Sequence, residues 1–309
     1  MAPRHLLSIT DLARGEIEAL LDLTARMKKG GKALAKVLAG RTVALIFEKQ
    51  STRTRLSQEV ACAKLGARAL TIAGTDLQIG RGETLEDSGR IFSLYVDAVC
   101  WRTTGHDRLE QFASAATVPV VNLLSDLEHP CQILADLFTI GENFGKRRPP
   151  LAFIGDGGNN MAHSWVLAAA RLGMDLRVAY PEDYGPDAKV RERAAREAKA
   201  TGARLTFTND PAEAAKGAGI LYTDVWVSMG QEEGREARLK RFRGYQVNGP
   251  LLALAARDAV VMHCLPAHRG EEISAEVMDG KRSVVFEQAR NRLYNAMAVL
   301  VWCIKGGKS

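Results

Sequence analysis

Between an apolar run, Val43–Phe47, and a stretch where Leu56, Val60 and Ala63 recur at helical spacing lies Ser51-Thr52-Arg53-Thr54-Arg55. The pattern reads as strand, tight polar turn and helix N-terminus. Such a join leaves the first amide hydrogens of the helix unpaired at the positive end of its dipole. Guanidiniums and hydroxyls crowded into the same turn add charge-assisted bonds, so the chemistry on offer is phosphate binding. Ser51 or Thr52 is the expected N-cap. The turn lacks the glycine spacing and Gly-Lys-Ser/Thr of a Walker loop.

Other residues reach the same kind of position. Asp97–Trp101 reads as a strand ending at Arg102, and a side chain just past the carboxyl end of a parallel strand faces the ligand crevice of an open α/β sheet. His129-Pro130-Cys131-Gln132 opens a helix, proline being a start signal. His129 and Gln132, three apart, share one face of it. Asp224 follows the strand Gly219–Thr223, where a carboxylate could accept from an ammonium. Cys264 follows Ala259–Met262 beside His263 and ahead of Leu265-Pro266, where a small core residue is the usual reading and a ligand-facing thiol a credible one. Gly155-Asp156-Gly157-Gly158-Asn159-Asn160 invites a dinucleotide reading and fits it poorly. The third glycine position is Asn160, and the next strand, Leu176–Tyr180, ends without an acid. What is left is a turn rich in amides, suited to a carboxylate.

The elements that position these residues follow in order. A helix is expected from Ser8 to about Lys29, ended by Gly30-Gly31. Strands are expected at Val43–Phe47, Ala67–Ile72, Asp97–Trp101, Pro119–Asn122, Leu151–Gly155, Leu176–Tyr180, Arg204–Phe207, Gly219–Thr223, Ala259–Met262 and Ser283–Phe286. A helix is expected from Glu83 to Tyr95 and a terminal one from Ala289 to Ile304, with Arg292 in its first turn. Gly141–Pro150 reads as a linker, and Asp224 to about Arg243 as a long charged loop suited to a mobile flap. The chain has 309 residues, enough for two ordinary α/β domains. Its net charge of +6 mildly favours anionic ligands and is too diffuse for a nucleic-acid partner. The five cysteines are scattered without metal-ligand spacing and read as reduced thiols of a cytoplasmic protein. No apolar run approaches a membrane span, and the N-terminus lacks a secretory apolar region.

Four of these motifs, Ser-Thr-Arg-Thr-Arg, His-Pro-x-Gln, Asp224-x-x-x-Ser228-Met229-Gly230 and His-Cys-Leu-Pro, stand in the order of the aspartate and ornithine carbamoyltransferase family, which the chain resembles over nearly its whole length. The last two resemble its ornithine branch. The resemblance implies transfer of a carbamoyl group from carbamoyl phosphate to the δ-amine of L-ornithine. It implies an α/β fold: two doubly wound parallel-sheet domains with the active site in the cleft between them, the C-terminal helix returning to the first. Residues 1–140 would bind carbamoyl phosphate, residues 150–288 would bind ornithine, and helix 289–309 would pack back on the first domain. The phosphate would be held by Ser51, Thr52, Arg53 and Thr54, with Gln78 sent to a neighbouring subunit. Arg102, His129 and Gln132 would meet the carbamoyl group, with Cys264, Leu265 and Arg292 closing that side. Asn160, Asp224, Ser228 and Met229 would bind ornithine, and Arg102, His129, Cys264 and Asp224 would carry the chemistry. The resemblance further implies a homo-oligomer, most often a trimer, and no metal or organic cofactor. Two positions depart from the family: Gln58 stands where it usually has Phe, and Arg290 where it usually has Glu. The competing readings are a carbamoyltransferase for another amine, putrescine or an acylated ornithine; an aspartate enzyme, which would need cations where Asp224, Glu232 and Glu233 are acidic; and a non-catalytic carbamoyl-phosphate binder.

Overall fold

The computed structural model describes residues 3–30, 34–79, 82–227 and 233–306. The chain forms two compact units, Met1–Phe138 with Arg290–Ser309, and Thr139–Ala289. The first contains α1 (Arg14–Lys29), β1 (Thr42–Phe47), α2 (Thr52–Leu65), β2 (Arg68–Ala73), α3 (Leu85–Tyr95), β3 (Ala98–Arg102), α4 (His106–Ala115), β4 (Val120–Leu124) and most of α5 (Pro130–Phe144). The second contains β5 (Leu151–Ile154), α6 (Asn160–Leu172), β6 (Asp175–Ala179), α7 (Ala188–Thr201), β7 (Arg204–Thr208), α8 (Pro211–Ala215), β8 (Ile220–Thr223), α9 (Arg235–Phe242), α10 (Gly249–Leu254), β9 (Val260–His263) and α11 (Ala275–Met278). The last helix, α12, runs Val285–Lys305.

Both sheets are parallel, ordered β2-β1-β3-β4 and β7-β6-β5-β8-β9. Parallel strands carry helices on both faces, so their sequences read as continuous apolar runs. Val43–Ile46, Ala98–Trp101 and Leu151–Ile154 are accordingly fully buried. In each sheet the chain leaves a central strand in one direction and later returns to its other side. The loops at that switch point diverge and leave a crevice at the strands' carboxyl ends. In the first unit it lies between β1 and β3, and in the second between β5 and β8.

Local chemistry sets the helix ends. Gly66 closes α2 at φ +79°, and a Cβ there would sit 3.3 Å from Lys36 Cα. Thr84 caps α3 through the Asp87 amide, and Asn159 caps α6 through the Ala162 amide. Among the described residues no helix is long and apolar enough to cross a membrane.

Several expected elements take another form. The helix expected from Ser8 is a short 3-10 turn, Ile9–Asp11, closed by its own capping box, and α1 starts afresh at Arg14. Residues 141–144 of the expected linker continue α5. The expected strand at Ser283–Phe286 is one bridge, Val261 to Ser283, because α12 starts at Val285. Arg292 therefore lies at the end of the second turn of α12, not in its first. The charged stretch before Arg243 holds α9, with basic Lys240 and Arg241 at its carboxyl end where the dipole favours them. α4 carries no sequence motif.

Candidate active site

In the first unit the cations converge at the switch point. β1 delivers the loop Glu48–Ser51 and β3 delivers Arg102, with Phe47 and Arg102 in register. The Glu48 amide donates to the Arg102 carbonyl at 3.0 Å. The Glu48 carboxylate accepts from Thr103 Oγ1 at 2.6 Å and Arg108 Nη1 at 2.9 Å, fixing the loop to the strand beside it. Ser51 is the N-cap of α2 by backbone geometry, but its hydroxyl makes no capping bond, contrary to the sequence expectation. Thr54, buried, accepts from Arg292 Nη2 at 2.8 Å, which brings α12 onto the Ser51–Arg55 turn.

His129 enters from the start of α5 and is buried. Burial holds its imidazole well below the usual histidine range, and the guanidiniums of Arg292, Arg102 and Arg53 push the same way. The ring is therefore neutral at pH 7 inside a cationic cluster. Gln132, fully buried one turn further, donates Nε2–H to Asp136 Oδ1 at 2.8 Å. Its Oε1 and the Nε of Arg53 are buried without a hydrogen-bond partner among the described residues. Gln78 lies on an exposed loop after β2.

In the second unit the switch point carries an acid. Asp224, 7% exposed, follows β8. Its Oδ2 accepts from Asn159 Nδ2 at 3.3 Å. Its Oδ1 accepts from the Val225 amide at 2.8 Å and from Cys264 Sγ at 3.0 Å. Burial raises its pKa, an effect that His263, Cys264 and the Val225 amide oppose and Glu272 reinforces. Asn160 is half-buried at the first position of α6. The glycines beside it serve packing: a Cβ on Gly157 would sit 2.8 Å from both the Tyr184 carbonyl and the Tyr180 ring. Ser228 and Met229 lie outside the described residues.

Sequence reading missed the groups that hold this acid in place. Asn159 touches it, and only the cap pattern before α6 hinted at that side chain. Asp156 in the same turn is paired with Arg238 of α9, which also bonds the Trp226 carbonyl. Burial still pushes Asp156 up to about 6, Arg238 and the Gly158 amide opposing and Asp224 reinforcing. His263 and Glu272 form a fully buried pair, His263 Nε2 to Glu272 Oε1 at 3.1 Å. His263 Nδ1 accepts from the Leu265 amide at 2.8 Å, so the ring proton sits on Nε2. The pair pins the turn in which Leu265 adopts φ +63° and which carries Cys264 to Asp224.

Asp224, His263 and Cys264 have ligand atoms within 4.8 Å of one another. Both ring nitrogens of His263 are committed, however, so the trio offers a metal a thiol and a carboxylate only. Of the remaining cysteines, burial pushes Cys62 up to about 11, and Cys131 and Cys303 up to about 12, which makes them inert.

With this geometry in view, residues 4–142 match the family described as aspartate/ornithine carbamoyltransferase, carbamoyl-P binding domain. Residues 149–303 match its Asp/Orn binding domain. The chain is 50% identical over 299 residues to the ornithine carbamoyltransferase of Methanothermobacter thermautotrophicus, covering 97% of this chain and 98% of that protein. The solved ornithine carbamoyltransferase of Pyrococcus furiosus superposes with a TM-score of 0.94 at 47% identity, covering 99% and 98% of the two chains. The anabolic ornithine carbamoyltransferase of Campylobacter jejuni superposes at 0.93 with 40% identity, covering 99% and 100%.

Proposed function

Because the chain belongs to the aspartate/ornithine carbamoyltransferase family, we propose that its two switch points divide one reaction between them. The carbamoyl group of carbamoyl phosphate passes to the δ-amine of L-ornithine, giving L-citrulline and phosphate. The neutral amine attacks the carbonyl carbon, a C–N bond forms, and the C–O bond to phosphate breaks as the amine loses a proton.

The single observation that carries this reading is the desolvated cationic cluster around neutral His129. Ser51, Thr52, Arg53 and Thr54 bind the phosphate, and Arg292 completes that side through Thr54. Arg102 and His129 donate to the carbonyl oxygen as it becomes an oxyanion. A neutral imidazole donates its N–H without adding a fourth positive charge to the cluster. Fixed donors of this kind lower such a barrier by about 3–4 kcal/mol each. Gln132 accepts from the carbamoyl NH2.

Asp224, with Asn160, Ser228 and Met229, takes ornithine. A carboxyl whose pKa burial has raised gains most when an ammonium arrives beside it. Cys264 keeps Asp224 oriented through its Sγ–H. No step requires a metal or organic cofactor.

We assign the assembly as a homotrimer in which Gln78 reaches a neighbouring subunit. Leu56, Val60, Ile91, Leu94 and Tyr95, exposed on α2 and α3, support self-association. Sedimentation as a monomer at micromolar concentration would remove that assignment. The free, mostly buried cysteines support a cytoplasmic setting.

An amine panel tests the substrate. With carbamoyl phosphate saturating, ornithine gives citrulline at a kcat/KM at least a hundredfold above those of putrescine and Nα-acetylornithine. Preference for either of those, or binding without any product, would defeat this reading.

A further inference from the structure

We infer that Asp136 is a positioning residue that makes the site select an acyl donor bearing an N–H. The inference rests on the carbamoyl-phosphate reading above and deepens it. Gln132 and Asp136 are four apart on α5, hence one turn above one another, and both are fully buried. A carboxylate only accepts hydrogen bonds, so the group it draws from the Gln132 amide is the NH2. The observed bond, Nε2 to Asp136 Oδ1 at 2.8 Å, has that sense. With the nitrogen committed, Oε1 is left on the opposite side of the amide plane, buried and without a hydrogen-bond partner among the described residues.

An unsatisfied acceptor in a dry site discriminates strongly. A ligand that brings an N–H satisfies it, and one that brings a methyl group leaves it stranded. Carbamoyl phosphate and acetyl phosphate differ in that one group and have nearly the same shape. The flipped amide would reverse the preference, and Asp136 forbids the flip. Asp136 thus never touches the donor and acts through Gln132.

Calorimetric titration of the intact protein with carbamoyl phosphate, acetyl phosphate and inorganic phosphate tests this. The wild type binds carbamoyl phosphate more tightly than acetyl phosphate by roughly ten- to a hundredfold. Asp136→Asn, which can face Gln132 with either amide atom, loses most of that ratio while its inorganic phosphate affinity stays within about twofold. Gln132→Leu loses the ratio to the same extent, and the double variant loses no more. An unchanged ratio in Asp136→Asn, or additive losses in the double variant, would overturn the inference. If Asp136→Asn fails to fold, the wild type still decides by NMR. The Nε2 protons of Gln132 exchange slowly and keep their shifts when carbamoyl phosphate binds. Movement of those protons into contact with the donor would show the nitrogen facing it and refute the assignment. A wild type that selects carbamoyl phosphate yet makes no citrulline leaves this inference standing and removes the transfer reaction.

Discussion

The two sheets share a plan and carry opposite charge at the same place. In the first unit the crevice between β1 and β3 gathers Arg53, Arg102 and Arg292 around a histidine kept neutral. In the second, the crevice between β5 and β8 buries Asp224 and Asp156, whose pKa values rise. Topology supplies the crevice in both cases. The charge each crevice carries is set by a few side chains on the loops, and desolvation shifts their protonation in both cases. A buried histidine among cations is pushed to neutral, and a buried acid beside another acid is pushed to the same end.

The comparison breaks first at Arg102. Arg102→Ala should lower kcat about 10²- to 10³-fold, the cost of one oxyanion donor. It should also raise the His129 pKa, since one of three repelling guanidiniums is gone. Steady-state kinetics with imidazole NMR reads both, and turnover within tenfold of wild type would remove Arg102 from the oxyanion. Next, Asp224→Asn should raise the ornithine KM roughly ten- to a hundredfold, the worth of a charged hydrogen bond. An unchanged KM would place ornithine elsewhere.

Acid stability separates the two units by sign. The His129 pKa is depressed, so the unfolded chain binds its proton first, and this contribution falls as pH drops below about 6.5. Asp156 is raised from 3.8 to about 6, so the folded chain binds the proton first. Its contribution falls as pH rises from about 4 to about 6, by ~3 kcal/mol over the full shift. Denaturant titrations across pH 4–7 should show His129→Gln losing the first slope and Asp156→Asn the second. The same slope change in both variants would contradict the opposition.

Gln58 gives the smallest effect. It is buried, and its Oε1 has no partner among the described residues. Gln58→Met, close in volume, should therefore stabilise by about 1 kcal/mol. A lowered denaturation midpoint would show that the amide is satisfied.

Sequence revealed the frame and the polar motifs, for a physical reason. Runs such as Val43–Phe47 must be apolar to be buried on both faces, and Arg102, Asp224 and Cys264 sit at strand ends that the same runs mark. Residues that act from a distance left no such trace. Asp136 reads as one polar position in an apolar helix, and Glu272 as part of a charged turn. Arg238 is one cation among several on α9, and its partner Asp156 lies 82 residues earlier. Their meaning comes from folding, which buries them against one group each. The Ser283–Phe286 strand failed because four residues suit a strand or the start of a helix equally well. Continuity into Glu287–Lys305 decided for the helix.

Carbamoyl phosphate titrated calorimetrically into Arg102→Ala and Asp224→Asn tests the division of labour most directly. If the cationic unit alone holds the donor, Arg102→Ala binds it at least tenfold more weakly than wild type, and Asp224→Asn binds it within about twofold. Equal losses in both variants, or a loss confined to Asp224→Asn, would contradict it.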